Sequence, residues 1–204
     1  AILITHEHSD HIAGVSVFSR RFKVPVFMNE GTHRAYRKIP GDRRLFHWEP
    51  LGTGYCGLIG GLEVSSFSIP HDAADPVAFR VSCQGLHLAH CTDLGRVTPL
   101  VESMLTGVHA LVLESNHDEE LLLGCEYPWA LKQRILSTHG HLSNHTAGGL
   151  IASRMHSDLG LVVLGHLSEH SNTPEVALQT VKSYLKQEPQ QIVCASVAAP
   201  TPVF

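Results

Sequence analysis

The chain has 204 residues, of which 43% are apolar and 17% charged, so it carries the material of a folded core rather than of a disordered segment. Its length fits one large domain or at most two small ones, and a net charge of −4 counts against a protein that coats nucleic acid indiscriminately. No apolar run approaches the ~18 residues of a membrane helix, and the opening AILITHEH does not read as a secretory leader.

The predicted elements alternate along the chain. A strand at 1–5 runs directly into a charged cluster, which implies that further sequence precedes it. A helix over 11–21, a strand over 24–28 and a helix over 31–38 follow. Gly52, Gly54 and Gly57 then spell G-x-G-x-x-G, but that fingerprint needs a strand before it and a helix after it. Here a strand follows, so the stretch reads as a loop and no nucleotide cofactor is expected. Strands at 62–69, 76–83 and 86–90 precede a helix at 97–106 and a strand at 109–115. Helices over 127–138 and 143–156, a strand over 161–165, a helix over 173–187 and a strand over 191–195 complete the set. Asn172 and Thr173 are cap candidates for the last helix, with Pro174 in its first turn. Alternation of this kind indicates a layered α/β protein, and nothing divides residues 1–204 into more than one domain.

Two residue types carry chemical information. The five cysteines are scattered and odd in number, which argues against a disulfide scaffold and fits a reducing cytoplasm. Histidine is in excess, at sixteen residues. The densest group is 5-THEHSDH-11, where His6 and His8 leave a strand on one side of the chain and Asp10 and His11 follow as it turns into a helix. Nitrogen and oxygen donors without sulfur suit Zn²⁺ or Mn²⁺. Cys91 reads as a small packing residue rather than a reactive thiol.

The HxHxDH run of His6, His8, Asp10 and His11 resembles that of the metallo-β-lactamase fold superfamily. Further segments agree in order: 69-IPHDAADP-76 with His71, 90-HCTDLG-95 with Asp93, and 164-LGHLSEHSN-172 with His166. The segments 114-ESNHD-118, 127-YPWALKQRILS-137 and 140-GHLSN-144 narrow the resemblance to the YycJ/WalJ-like branch, which is regarded as DNA exonucleases. It extends down to 200-PTPVF-204 and departs at the front, where family members carry several strands before the HxHxDH strand.

The resemblance implies an αββα sandwich that lacks its N-terminal strands, and a dinuclear centre. His6, His8 and His71 would bind one divalent ion and Asp10, His11 and His166 the other, with Asp93 bridging. Two cations ~3.5–4 Å apart would hold a bridging hydroxide as the nucleophile and neutralise charge on a phosphoryl oxygen. No serine nucleophile is needed, and no G-x-S-x-G elbow is present. Asp10 and His141 are the candidate catalytic residues, His141 to protonate the leaving oxygen, and Asn144 is a candidate to touch substrate, while His117 could be either an active-site or a loop residue. Residues 20–44 hold eight of the fifteen basic residues against Glu30 and Asp42. Arg34, Arg37 and Lys38 in that stretch are candidates to steer a DNA backbone. The expected activity is DNA exonuclease. The rivals are hydrolysis of a small phosphodiester or a thioester on the same fold, and an inactive metal-binding fragment.

Overall fold

The computed structural model describes residues 1–187 and 189–196, so the C-terminal end of the family resemblance, 200–204, lies outside the described residues. The first sheet is parallel, with strands β1 (Ile2–Leu3), β2 (Val26–Met28) and β3 (Trp48–Pro50) side by side in that order. The second contains β4 (Cys56–Ile59), β5 (Leu62–Ser68), β6 (Val77–Cys83), β7 (Leu86–Cys91), β8 (Ala110–Glu114), β9 (Leu161–Gly165) and β10 (Gln191–Cys194). Neighbours from β4 to β7 are antiparallel and those from β7 to β10 parallel.

Three apolar clusters define the layers. Leu3 and Phe27 of the first sheet meet Leu51, Val64, Val77 and Phe79, which closes the two sheets on each other. The outer face of the first sheet, with Val26 and Met28, is covered by Ile12, Val15 and Tyr36. These belong to α1 (Ser9–Ile12), α2 (Val15–Phe22) and α3 (Glu30–Lys38). The outer face of the second sheet packs Leu111, Leu113, Val162 and Leu164 against Val101, Leu105, Leu150, Ile151 and Val181. Those covering residues come from α4 (Pro99–Leu105), α7 (Asn144–Arg154) and α8 (Pro174–Tyr184); α5 (Glu119–Gly124) and α6 (Trp129–Ile135) lie between α4 and α7 in the chain. The parallel strands β8 and β9, inside the second sheet, read as the apolar runs ALVLE and LVVLG. Helices thus lie outside two sheets, the layering of the αββα sandwich that the resemblance implies. No helix of the described residues is long and apolar enough to cross a membrane.

The expected elements differ from the observed ones at their ends and in three additions. The helix expected at 11–21 is two helices, because the chain turns at Gly14, the residue before α2. Strand β1 is shorter than expected: Ile4 still donates its N–H to Phe27, but Thr5 O turns to accept from Val77 of β6. Helices expected at 127–138 and 173–187 are trimmed to Trp129–Ile135 and Pro174–Tyr184. Strands β3 and β4 and helix α5 were not expected. The glycine-rich stretch leads into β4 rather than a helix, so it lacks the strand–turn–helix context of a dinucleotide site.

Candidate metal centre

The centre lies where strand ends from both sheets meet. At the end of β1 the backbone of Thr5 is pinned to β6, and Thr5 Oγ1 lies 3.1 Å from His6 Nδ1 and 3.4 Å from His11 Nδ1. The short α1 then brings Asp10 and His11 back over the same point. The ring centroids of His6 lie 4.5 Å from His8, 4.2 Å from His11 and 5.0 Å from His71.

His71 enters from the loop after β5. Its Nδ1 lies 3.1 Å from the carbonyl oxygen of Gly140, which can only accept, so Nδ1 carries the proton. The lone pair on Nε2 is thereby turned toward His8 Nδ1, 3.3 Å away. Gly140 has no room for a side chain, since a Cβ there would collide with the carbonyls of Arg134 and Ile135.

Asp93 and His166 come from adjacent ends of the parallel strands. Cys91, Leu113 and Leu164 are in register across β7, β8 and β9, so Asp93, Glu114 and His166 leave the sheet at nearly one level. Both Asp93 (φ 61°) and His166 (φ 56°) adopt the left-handed region, which costs a non-glycine residue about 1–3 kcal/mol and clusters at functional sites. Asp93 Oδ1 lies 3.3 Å from His166 Nε2 and 3.7 Å from His71 Nε2, and Oδ2 lies 3.3 Å from His11 Nε2. Asp10 Oδ2 is 3.2 Å from His11 Nε2 and 3.3 Å from His166 Nε2.

Glu114 is the residue that sequence reasoning missed. It is wholly buried, and its Oε1 accepts from His141 Nδ1 and His166 Nδ1, each at 2.7 Å. Its Oε2 accepts the backbone N–H groups of Leu94 and Leu142 at 2.9 and 3.0 Å. A carboxylate offers about four lone-pair sites, and all are engaged. Glu114 therefore orients two imidazoles, leaving their Nε2 atoms toward the centre, instead of offering itself as a ligand. The available signal was an acidic residue closing an otherwise apolar strand, ALVLE.

The donor set fits divalent cations. Four groups of N and O donors lie within one ion's reach among the described residues: His6, His8 and His71; Asp10, His11 and His166; His6, His11 and Asp93; and Asp93, Glu114, His141 and His166, of which Glu114 already has its lone pairs engaged. His6 Nε2 is buried with no hydrogen-bond partner, and the buried His11 Nε2 and Asp93 Oδ2, 3.3 Å apart, have none outside this cluster. Orphaned polar atoms are costly unless something satisfies them, and these three face one another.

The electrostatics agree. Burial pushes His6 down to about 3, and burial likewise lowers His71. Burial works to raise Asp93, but hydrogen bonding and charge from His11 and His166 hold it well below the carboxylate range. Glu114 is likewise held low against its burial by hydrogen bonds from His141 and His166. Asp10 is depressed, chiefly by its hydrogen bond to His166. Burial opposes protonation of His166, yet hydrogen bonds to Asp10 and Glu114 raise it to about 10. Its Nε2 thus carries a proton that a metal ion would displace.

The remaining candidates divide. His141 stands at the centre, 5.1 Å from the His71 ring and 5.2 Å from that of His166. His117 is buried after β8 with Nδ1 unpartnered, and burial lowers its pKa. Asn144, expected to touch substrate, is instead fully buried: it accepts from Ser115 Oγ and donates to Asn172 Oδ1, while Ser143 caps α7. Its amide is used up in holding α7 to the loop before α8. Cys91 lies in the core, where burial raises its thiol. Arg34, Arg37 and Lys38 line a hollow on α3 beside His33 and Trp48, apart from the histidine cluster. Other basic residues of that stretch are engaged internally: Arg20 and Arg44 pair with Asp42, and Arg43 bonds the carbonyl of Pro40.

Residues 1–166 match the beta-lactamase superfamily domain. The chain is 37% identical over 191 residues to exodeoxyribonuclease YycJ of Bacillus anthracis, covering 92% of this chain and 71% of that one. It is 35% identical over 189 residues to exodeoxyribonuclease WalJ of Streptococcus pneumoniae, covering 92% and 70%. The Zn²⁺-bound structure of PqqB from Methylobacterium extorquens shares the fold with a TM-score of 0.67 at 18% identity, over 95% of this chain and 69% of that one. The chain belongs to the beta-lactamase superfamily and is a metal-dependent hydrolase of the metallo-β-lactamase fold.

Proposed function

We propose that the chain is a dinuclear metal-dependent phosphodiesterase that degrades DNA from an end. The observation that carries this reading is the position of Asp93, within 4 Å of His11, His71 and His166, between two groups of three donors. His6, His8 and His71 would hold one ion and Asp10, His11 and His166 the second, with the Asp93 carboxylate shared. A bound pair of this kind supplies Lewis acidity and a water that ionises near neutral pH. Glu114 fixes the Nδ1 proton of His141 and so aims its Nε2 edge at the centre, where it can give a proton to the leaving oxygen. Asp10 shares the second donor group with His166.

The names of YycJ and WalJ support DNA as the substrate, and the exposed cations of α3 would steer a strand through its phosphates. Five free cysteines fit a reducing cytoplasm. The test is metal-reconstituted protein offered end-labelled DNA, a cyclic nucleotide and a thioester in parallel, with Zn²⁺ and Mn²⁺ compared. Progressive release of mononucleotides from DNA, abolished by chelation, is the expected result. Turnover of only the cyclic nucleotide or only the thioester would move the activity to that substrate, and turnover of none would leave a metal-binding protein.

A further inference from the structure

A cleft of about 310 Å³ opens from the centre between α6 and the loop after β9. Its inner end is formed by His141 and His166, so whatever enters it is adjacent to the proposed chemistry. One wall carries Tyr127, Leu131 and Arg134, and the other Leu167, His170 and the carboxylate of Glu169. The volume is at the lower end of the range for small-molecule sites. It has room for one nucleotide-sized group and not for a duplex.

The lining has the three chemistries of a nucleotide. Tyr127 and His170 present rings 5.3 Å apart in an edge-to-face arrangement, a surface on which a base can stack. Leu131 and Leu167 are apolar. Arg134 is held in place by Asp72, which accepts from Nε and from Nη2. A guanidinium has five N–H donors, so three remain, including both on Nη1, for an anion. Asp72 directly follows His71 in the chain, with its Oδ1 3.5 Å from His71 Nε2, so the arginine is referenced to the same loop as the centre. A positioned, partly neutralised arginine beside an aromatic pair is a phosphate-plus-base recognition device.

We propose that this cleft is the terminal-nucleotide pocket: it receives the last nucleotide of a DNA strand, with Tyr127 and His170 against the base and Arg134 on the terminal phosphate. This rests on the nuclease reading above and deepens it, because a pocket closed to duplex and open at the centre explains attack at an end rather than in the interior. Arg134 and Tyr127 are then specificity-determining residues that sequence analysis had left unassigned.

The test separates binding from turnover. Metal-loaded protein, Arg134→Gln, Arg134→Lys and Tyr127→Ala are titrated calorimetrically with deoxyadenosine monophosphate and with deoxyadenosine, and their melting temperatures are compared as a folding check. Arg134→Gln should weaken the monophosphate about tenfold and leave the nucleoside unaffected, Arg134→Lys should recover part of the loss, and Tyr127→Ala should weaken both. On end-labelled DNA, Arg134→Gln should raise KM more for ends carrying a phosphate than for ends carrying a hydroxyl. Monophosphate affinity equal in all four proteins, or an equal KM change for both kinds of end, overturns the pocket. Arg134-dependent monophosphate binding without cleavage of any DNA would keep the pocket and overturn the nuclease reading instead.

Discussion

His141 and His166 are tied to one and the same oxygen, Glu114 Oε1, each at 2.7 Å. One is the proposed acid and the other a proposed ligand, so a single buried carboxylate sets the orientation of both. Glu114→Gln replaces one acceptor oxygen with an NH₂ group facing N–H donors. The expected outcome is a folded but destabilised protein, at a cost of about 3 kcal/mol, with metal retention weakened about 10–100-fold. Calorimetric melting and metal analysis after dialysis check both. Unchanged retention would mean that the imidazoles need no such support.

Asp93→Asn is the sharper probe of the shared position, since asparagine tolerates the left-handed backbone that Asp93 adopts (φ 61°) while losing the charge. Metal analysis should show loss of more than one equivalent per chain. Full occupancy would remove Asp93 from the bridging role.

In the chelated protein, stability should depend on pH through the buried histidines. His6 is held down to about 3 in the fold, against 6.5 when exposed, so its contribution is intact above pH 6.5 and is lost as the pH falls toward 3. At pH 5 it contributes about 2 kcal/mol less than at pH 7, and the lowered values of His71, His90 and His117 act in the same direction. His166, raised to about 10, works oppositely, but its stabilisation is largely in place already at pH 7 and fades only as the pH climbs toward 10. Melting scans in EDTA should therefore fall by several degrees between pH 7 and 5. A rise over that interval would refute the histidine assignment.

Reversing Arg37 and Lys38 to glutamate tests the surface of α3. Among the described residues neither side chain makes a hydrogen bond or ion pair, so both are available to phosphate. KM for DNA should rise, and the salt dependence of binding should flatten by about one unit of slope per lost contact. Equal loss on DNA and on a small chromogenic phosphodiester would indicate misfolding, and no loss on DNA would move the binding surface elsewhere.

Legibility in the sequence followed how local the information was. His6, His8, Asp10 and His11 lie within six positions of one strand end, so their convergence is visible in the chain itself. His71, Asp93 and His166 are separated by long stretches and were found through the family resemblance; the structure brings their side chains together. Glu114 escaped because its role exists only once β7, β8 and β9 are paired and both imidazoles arrive from elsewhere. Asn144 was misread for the same reason: a polar residue at a helix start looks exposed until Asn172 packs onto it. Strands β3 and β4 were missed because each has few residues, one with a proline and the other beside several glycines.

The common level at which Asp93, Glu114 and His166 leave three neighbouring parallel strands has a consequence for folding. A slip of β8 by one residue would turn Glu114 to the opposite face of the sheet and release both imidazoles at once. Only a chain whose strands have paired correctly can present all the donors together, so tight metal retention would act as a proofreading signal. Misaligned molecules in a refolding mixture would be sorted out by their failure to hold the ions.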